Sequence, residues 1–121
     1  MEKAIEFYTG AFGCRLVSGP FEDPIQKVKV CFLADAPDHG PTHLELISPL
    51  TADSPVNGYL SKDIGAYHVC YEVENIADAL ASLRKKRCLV VSQPVPAIAF
   101  GGRKIAWCFA PTNQLVELLE K

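Results

Sequence analysis

The sequence predicts an α+β fold of two tandem modules, and three observations carry that prediction. The hydropathy pattern switches between helix and strand periods in the order helix, three strands, connector, strand, helix, three strands. Segments of the first half recur in the second half at nearly constant spacing. The 121 residues are 49% hydrophobic and 21% charged, which excludes disorder and supports one folded domain with a buried core.

Ala4, Ile5, Tyr8, Ala11 and Phe12 recur at helical spacing, predicting a helix over 2–12 that Gly10 and Gly13 close. Strands are predicted at 14–18, stopped by Gly19-Pro20, at 28–33, and at 43–47, ended by Pro49. A loop rich in Pro, Asp and Gly spans 36–41, and residues 51–62 read as a connector with a short helix at 56–60. Tyr67–Val73 is strongly β-like. Asn75 is placed to cap a helix over 76–87, with Asp78 in its first turn. Strands at 89–91, 104–109 and 115–119 complete the chain, with Gly101-Gly102 and Pro111-Thr112-Asn113 as turns. The expected organisation is a single domain over 1–121: a first module at 1–50, a linker at 51–64 and a second module at 65–121. The second module reads β-α-β-β-β, and the first reads the same without its opening strand.

Three matches support a duplication. Cys14–Pro20 matches Cys88–Pro94 at an offset of 74, Leu44–Ile47 matches Val116–Leu119 at 72, and Cys31-Phe32 matches Cys108-Phe109 at 77. By the same arithmetic, the counterpart of His68 falls before Met1.

Composition excludes several classes of partner. Twelve basic residues against 14 acidic ones give a net charge of −2. The one basic run, Arg84–Arg87, suits the C-terminal end of a helix, so no nucleic-acid partner is expected. No apolar run is long enough to span a membrane, and the N-terminus lacks the order of a signal peptide. The cysteines at 14, 31, 70, 88 and 108 form no C-x-x-C pair and read as buried free thiols in a reducing compartment, the cytoplasm.

Alternation puts Ala66, His68, Cys70 and Glu72 on one face of their strand, and Tyr67, Val69, Tyr71 and Val73 on the other. The bulkier face is expected to pack against the helices. Glu45 and Glu117 occupy the same place in the two copies, each an acid within an apolar strand. Taken singly, His68 reads as a hydrogen-bonded core residue, and each Glu as a surface-facing strand residue. Taken together, two carboxylates and an imidazole make a mixed oxygen and nitrogen donor set for a divalent ion such as Mn, Co, Ni, Zn, Fe or Mg. His43, on the face of Glu45, is either a decoy or a spare ligand, and His39 is a loop residue. Glu72 is placed to orient the His68 ring or a substrate. Gly101-Gly102-Arg103-Lys104 reads mainly as turn chemistry, with anion binding as the other reading. Phosphate-loop, dinucleotide and zinc-protease motifs are absent from the sequence.

The segments Glu2–Tyr8, Thr42–Leu50 with Asp53-Ser54-Pro55, Tyr67–Val73, and Phe100–Trp107 with Leu115–Leu118 resemble the vicinal oxygen chelate superfamily. This is the glyoxalase/bleomycin resistance/dioxygenase group, and the likeness is to its methylmalonyl-CoA epimerase-like branch. The resemblance implies paired β-α-β-β-β modules in a cupped mixed sheet, curled around a metal held by two ligands from each module. Glu45, His68 and Glu117 match three of those ligands. The fourth is a His in the opening strand that this chain lacks. Two further departures are Tyr67, where many relatives carry another His, and Lys27, where epimerases usually carry Gly.

The implied function is that of a metal-dependent lyase or isomerase acting on an acyl-CoA thioester through a metal-stabilised enolate. Glu45 and Glu117 would then be catalytic as well as metal-binding. The alternative is a non-catalytic, antibiotic-type small-molecule binder in which Trp107 and Phe100 stack on the ligand, or an inactive truncated relative. The expected partners are a small-molecule substrate and a second copy of the chain, a homodimer covering the edge that the absent strand leaves open. A strand supplied by another chain or by a longer gene product would serve equally.

Overall fold

The computed structural model describes residues 1–34 and 42–121; the expected loop at 36–41, with His39, lies outside the described residues. The described residues form a mixed α+β fold with eight strands and three helices in open sheets, divided into two compact units, Met1–Ser61 and Lys62–Lys121.

The first unit opens with α1 (Glu2–Phe12), which Gly13 ends in the left-handed conformation at φ 70°. No residue of α1 is buried, although its apolar spacing predicts a packed face. Phe7, Tyr8 and Phe12 pack on one another instead, with ring centroids 5.3–5.8 Å apart. The strands β1 (Arg15–Asp23), β2 (Val28–Ala34) and β3 (His43–Pro49) form an antiparallel sheet in that order. The central strand carries most of the core: Val28, Val30, Cys31, Phe32 and Leu33 are all buried. Asp23 turns the first hairpin, its buried carboxylate accepting from the backbone N–H groups of Ile25 and Gln26 at 2.9 Å. A four-residue helix, α2 (Asn57–Leu60), completes this unit.

Sequence reading ends the first strand at Gly19-Pro20, whereas β1 runs through both to Asp23. Irregular register between Leu16 and Phe21 absorbs them. Gly19 has φ +86°, and a Cβ there would lie 2.7 Å from the carbonyl oxygen of Val30 on the neighbouring strand.

In the second unit, β4 (His68–Val73) leads into α3 (Ile76–Lys85), followed by β5 (Leu89–Val90), β6 (Val95–Pro96), a short 3₁₀ turn (Ile98–Phe100), β7 (Lys104–Phe109) and β8 (Leu115–Glu120). The sheet order is β4-β8-β7-β5, with β6 also on β7; β4 and β8 are parallel and the other pairs antiparallel. Asn75 caps α3 as predicted, accepting from Asp78 N–H at 3.0 Å, and Glu120 accepts from Ile76 N–H at 2.9 Å. Ile76 and Leu80 then bury against Ala106 and Leu118.

The bulkier face of β4 departs from expectation. Val73 joins the core beneath α3, but Val69 and Tyr71 are 41% and 59% exposed. α3 lies against β5, β7 and β8, so the edge strand β4 extends beyond its cover. Cys70, on the same edge strand, is exposed, correcting the expectation that all five thiols are buried; all five are free, and Cys31 and Cys108 are buried. Burial pushes the thiol pKa of both buried cysteines up.

The strand registers reveal the repeat. Arg15 faces Ala34 as Leu89 faces Phe109, and Leu16 faces Leu33 as Val90 faces Cys108. Further along, Phe21 faces Val30 as Val95 faces Ile105. On the next strand pair, Phe32 faces Glu45 as Trp107 faces Glu117. The offsets are therefore 74 for β1, 75 for β2 and 72 for β3. The offset of 77 for Cys31-Phe32 is corrected: their counterparts are Ala106 and Trp107. A two-residue slip preserves alternation between faces, which is why apolar identities alone allowed it.

Two substitutions test this backbone. Gly19→Ala adds both the 2.7 Å contact and a strained φ, so its urea midpoint should correspond to a loss of about 2 kcal/mol or more. Lys27 sits at φ 58° and pairs through Nζ with Asp53 on the surface. Relief of the left-handed strain, roughly 1 kcal/mol, exceeds the worth of an exposed ion pair. Lys27→Gly should therefore leave the midpoint unchanged or raise it; a clear drop would contradict this reading.

Candidate metal centre

The sheet of the second unit builds one half of the predicted donor set. β4 and β8 run parallel with Cys70 beside Glu117, so His68 lies diagonally across from Glu117 on the same face. His68 Nε2 stands 3.7 Å from Glu117 Oε2, with side chains only 8% and 3% exposed. That separation is beyond hydrogen-bond length. It is close to the roughly 3.4 Å between two tetrahedral ligands that each lie about 2.1 Å from one ion. A carboxylate this deeply buried needs a counter-charge or strong donors to be tolerated. The nitrogen and oxygen pair therefore fits a divalent cation.

Aromatic rings enclose the imidazole. Tyr67 lies 4.7 Å away, centroid to centroid, and Trp107 lies 5.0 Å away at an interplanar angle of 74°. Trp107 stands directly opposite Glu117 on β7. Trp107 and Phe100, the stacking residues expected under the binder alternative, both pack against the buried cluster of Ala97, Ile105 and Leu119. The register with Glu117 was the available signal for Trp107's place, and it becomes readable only when the strand pairing is known.

Glu45 lies in the middle of β3, half-buried, at the position in the first unit that Glu117 holds in the second. His43 is exposed at the start of β3. Glu72 does not orient His68. It binds the Arg103 guanidinium at 2.6 Å, while Arg103 Nε donates to the Glu120 carbonyl at 2.7 Å. Gly101 and Gly102, at φ 66° and 86°, form the turn that delivers Arg103 to this tie between β4 and β8. The Gly-Gly segment is thus turn chemistry, and its arginine is engaged by the protein itself.

Residues 1–107 match the Glyoxalase/Bleomycin resistance/Dioxygenase superfamily, and the chain belongs to it. It is 37% identical over 103 residues to the mitochondrial methylmalonyl-CoA epimerase of Bos taurus, a match covering 84% of this chain and 56% of that protein. It is 33% identical over 107 residues to the ethylmalonyl-CoA/methylmalonyl-CoA epimerase of Cereibacter sphaeroides, covering 87% of this chain and 76% of the other. The crystal structure of a hypothetical protein from Bacillus halodurans superposes with a TM-score of 0.86 at 26% identity, over 100% of this chain and 86% of that one. The chain thus spans little more than half the length of the mammalian relatives it matches. Among the described residues, no helix is long and apolar enough to cross a membrane.

The Arg103 tie generates a pH prediction. Hydrogen bonding and charge from Arg103 hold the Glu72 carboxyl below its ordinary value. A depressed folded-state pKa contributes stability above the unfolded value, about 4.3, which is lost as pH falls through the folded value. Urea midpoints of the wild type and Glu72→Gln should differ at pH 7 and converge in the acid range below pH 4.

Proposed function

We propose that this chain provides the catalytic domain of a metal-dependent epimerase acting on a small acyl-CoA thioester of the 2-substituted malonyl type. The observation that carries the reading is the buried His68–Glu117 pair, in a family whose matched relatives are named as epimerases of such thioesters. Glu45, the repeat counterpart of Glu117, is the third proposed ligand.

Glu45, His68 and Glu117 would hold a divalent ion, which when bound would supply Lewis acidity toward developing negative charge on a substrate oxygen. The residues of the chain supply the rest. His68 would serve as an imidazole ligand, with the Trp107 and Tyr67 rings packed against it. Epimerisation removes a proton from one face of the α-carbon and returns one to the other, which requires two acid/base groups. Glu45 and Glu117 are the repeat-related pair for that role, besides their ligand roles. The five free thiols support a reducing compartment, and we read the protein as cytoplasmic.

Calorimetric titration with Mn, Co, Ni and Zn should show binding at one site, weakened at least about tenfold in Glu117→Ala. The metal-loaded protein in D₂O should wash deuterium into the α-carbon of methylmalonyl-CoA. Metal binding without exchange would favour a small-molecule binder, and no binding by the wild type would remove the metal reading.

We also infer a homodimer. Among the described residues, β3 pairs only with β2 and β4 only with β8, so each ends its own sheet with an open edge. Light scattering at micromolar concentration should give twice the chain mass; a clean monomer contradicts this.

A further inference from the structure

We propose that Trp107 is a positioning residue, its indole fixing the His68 imidazole so that Nε2 faces the Glu117 carboxylate. In its metal-binding consequence the proposal rests on the ligand reading above; in its geometry it stands on the second unit alone.

Three observations converge. The indole meets the His68 ring edge to face, with centroids 5.0 Å apart, and Trp107 is at the same time the cross-strand partner of Glu117. One side chain thus borders both donors. Secondly, the Trp107 backbone is held more firmly than strand pairing alone requires. Its N–H donates to Ser92 Oγ at 2.8 Å, and its carbonyl accepts from Val91 N–H at 2.9 Å and Ser92 N–H at 3.4 Å. The ring is also anchored against Ala97, Ile105 and Leu119. Thirdly, the first unit repeats the arrangement: Phe32, 9% exposed, stands across from Glu45 as Trp107 stands across from Glu117. An aromatic ring facing each acid is a property of both copies.

The need for such a wall follows from imidazole geometry. Rotation about the terminal torsion of histidine is soft and nearly two-fold, and a half-turn exchanges the places of the two ring edges. Tyr67 also packs on His68, with centroids 4.7 Å apart, but Trp107 is the ring that stands in register opposite Glu117 as well. An edge-to-face indole fixes the plane of the ring and hinders the half-turn through which its two edges would exchange. Holding a ligand in its productive orientation is what partners behind a metal ligand do, and their loss commonly costs 10- to 100-fold in affinity.

The experiment uses Trp107→Ala, Trp107→Leu and Trp107→Phe, with folding checked by circular dichroism. In the metal-free protein at fixed pH, the nuclear Overhauser contact between the His68 Hδ2 proton, which a half-turn of the ring would carry away from Glu117, and the Glu117 side chain is measured. It should be present in the wild type and Trp107→Phe, and lost or averaged in Trp107→Leu and Trp107→Ala. Zinc affinity should fall about tenfold or more in the Leu and Ala variants and stay within about threefold of wild type in Phe. The Leu variant keeps apolar bulk, so a folded Leu variant that loses the contact separates ring positioning from core filling. Persistence of the contact in folded Trp107→Leu overturns the proposal whatever the metal does. If wild-type protein binds no zinc, the metal reading fails, and the Overhauser contact still decides the role of Trp107.

Discussion

A carboxylate buried in an apolar sheet is the constraint around which the second unit is organised. Glu117 is 3% exposed on the inner strand of a four-strand path, flanked in register by Cys70 and Trp107. Burial of a lone carboxylate is unfavourable by several kcal/mol. Facing it is an imidazole nitrogen 3.7 Å away, and the proposed cation would add a counter-charge. The remaining features hold that face in register. Arg103 ties β4 to β8 through Glu72 and the Glu120 carbonyl, and Glu120 ties β8 to the start of α3.

The same physics explains how much was legible beforehand. Acids within apolar strands are conspicuous because they are costly, so Glu45 and Glu117 stood out, and the repeat joined them. His68 followed from alternation on a strongly β-like segment. The cap at Asn75 and the strand at 104–109 were readable from local chemistry alone. The segments that misled depend on a neighbour. Gly19-Pro20 reads as a stop, yet β1 passes through because β2 approaches closely enough that only glycine fits. The split of β5 from β6 was missed because two-residue strands carry no periodic signal. Cys70 and Tyr71 have the composition of a buried strand, and their exposure follows from the position of β4 at the sheet edge.

Comparison of the two registers shows what the duplication preserves. Pairing is conserved strand for strand while the connections differ in length, and the irregular stretch of β1 becomes the gap between β5 and β6. At the position where chemistry is expected, both copies keep an acid with an aromatic ring opposite, Glu45 with Phe32 and Glu117 with Trp107. They diverge at Lys27, where a left-handed turn residue carries a side chain pinned by Asp53. The superfamily fold is shared among unrelated reactions, so the acids and the histidine carry the functional reading.

The most direct measurement is paramagnetic broadening of the amide spectrum by substoichiometric Mn²⁺. If the two repeat-related acids and the histidine hold one ion, the resonances of Glu45, His68 and Glu117 and their strand neighbours broaden first and together. EDTA then restores them. Broadening centred instead on surface carboxylates such as Glu72 or Asp53, with these three unaffected, would contradict the account.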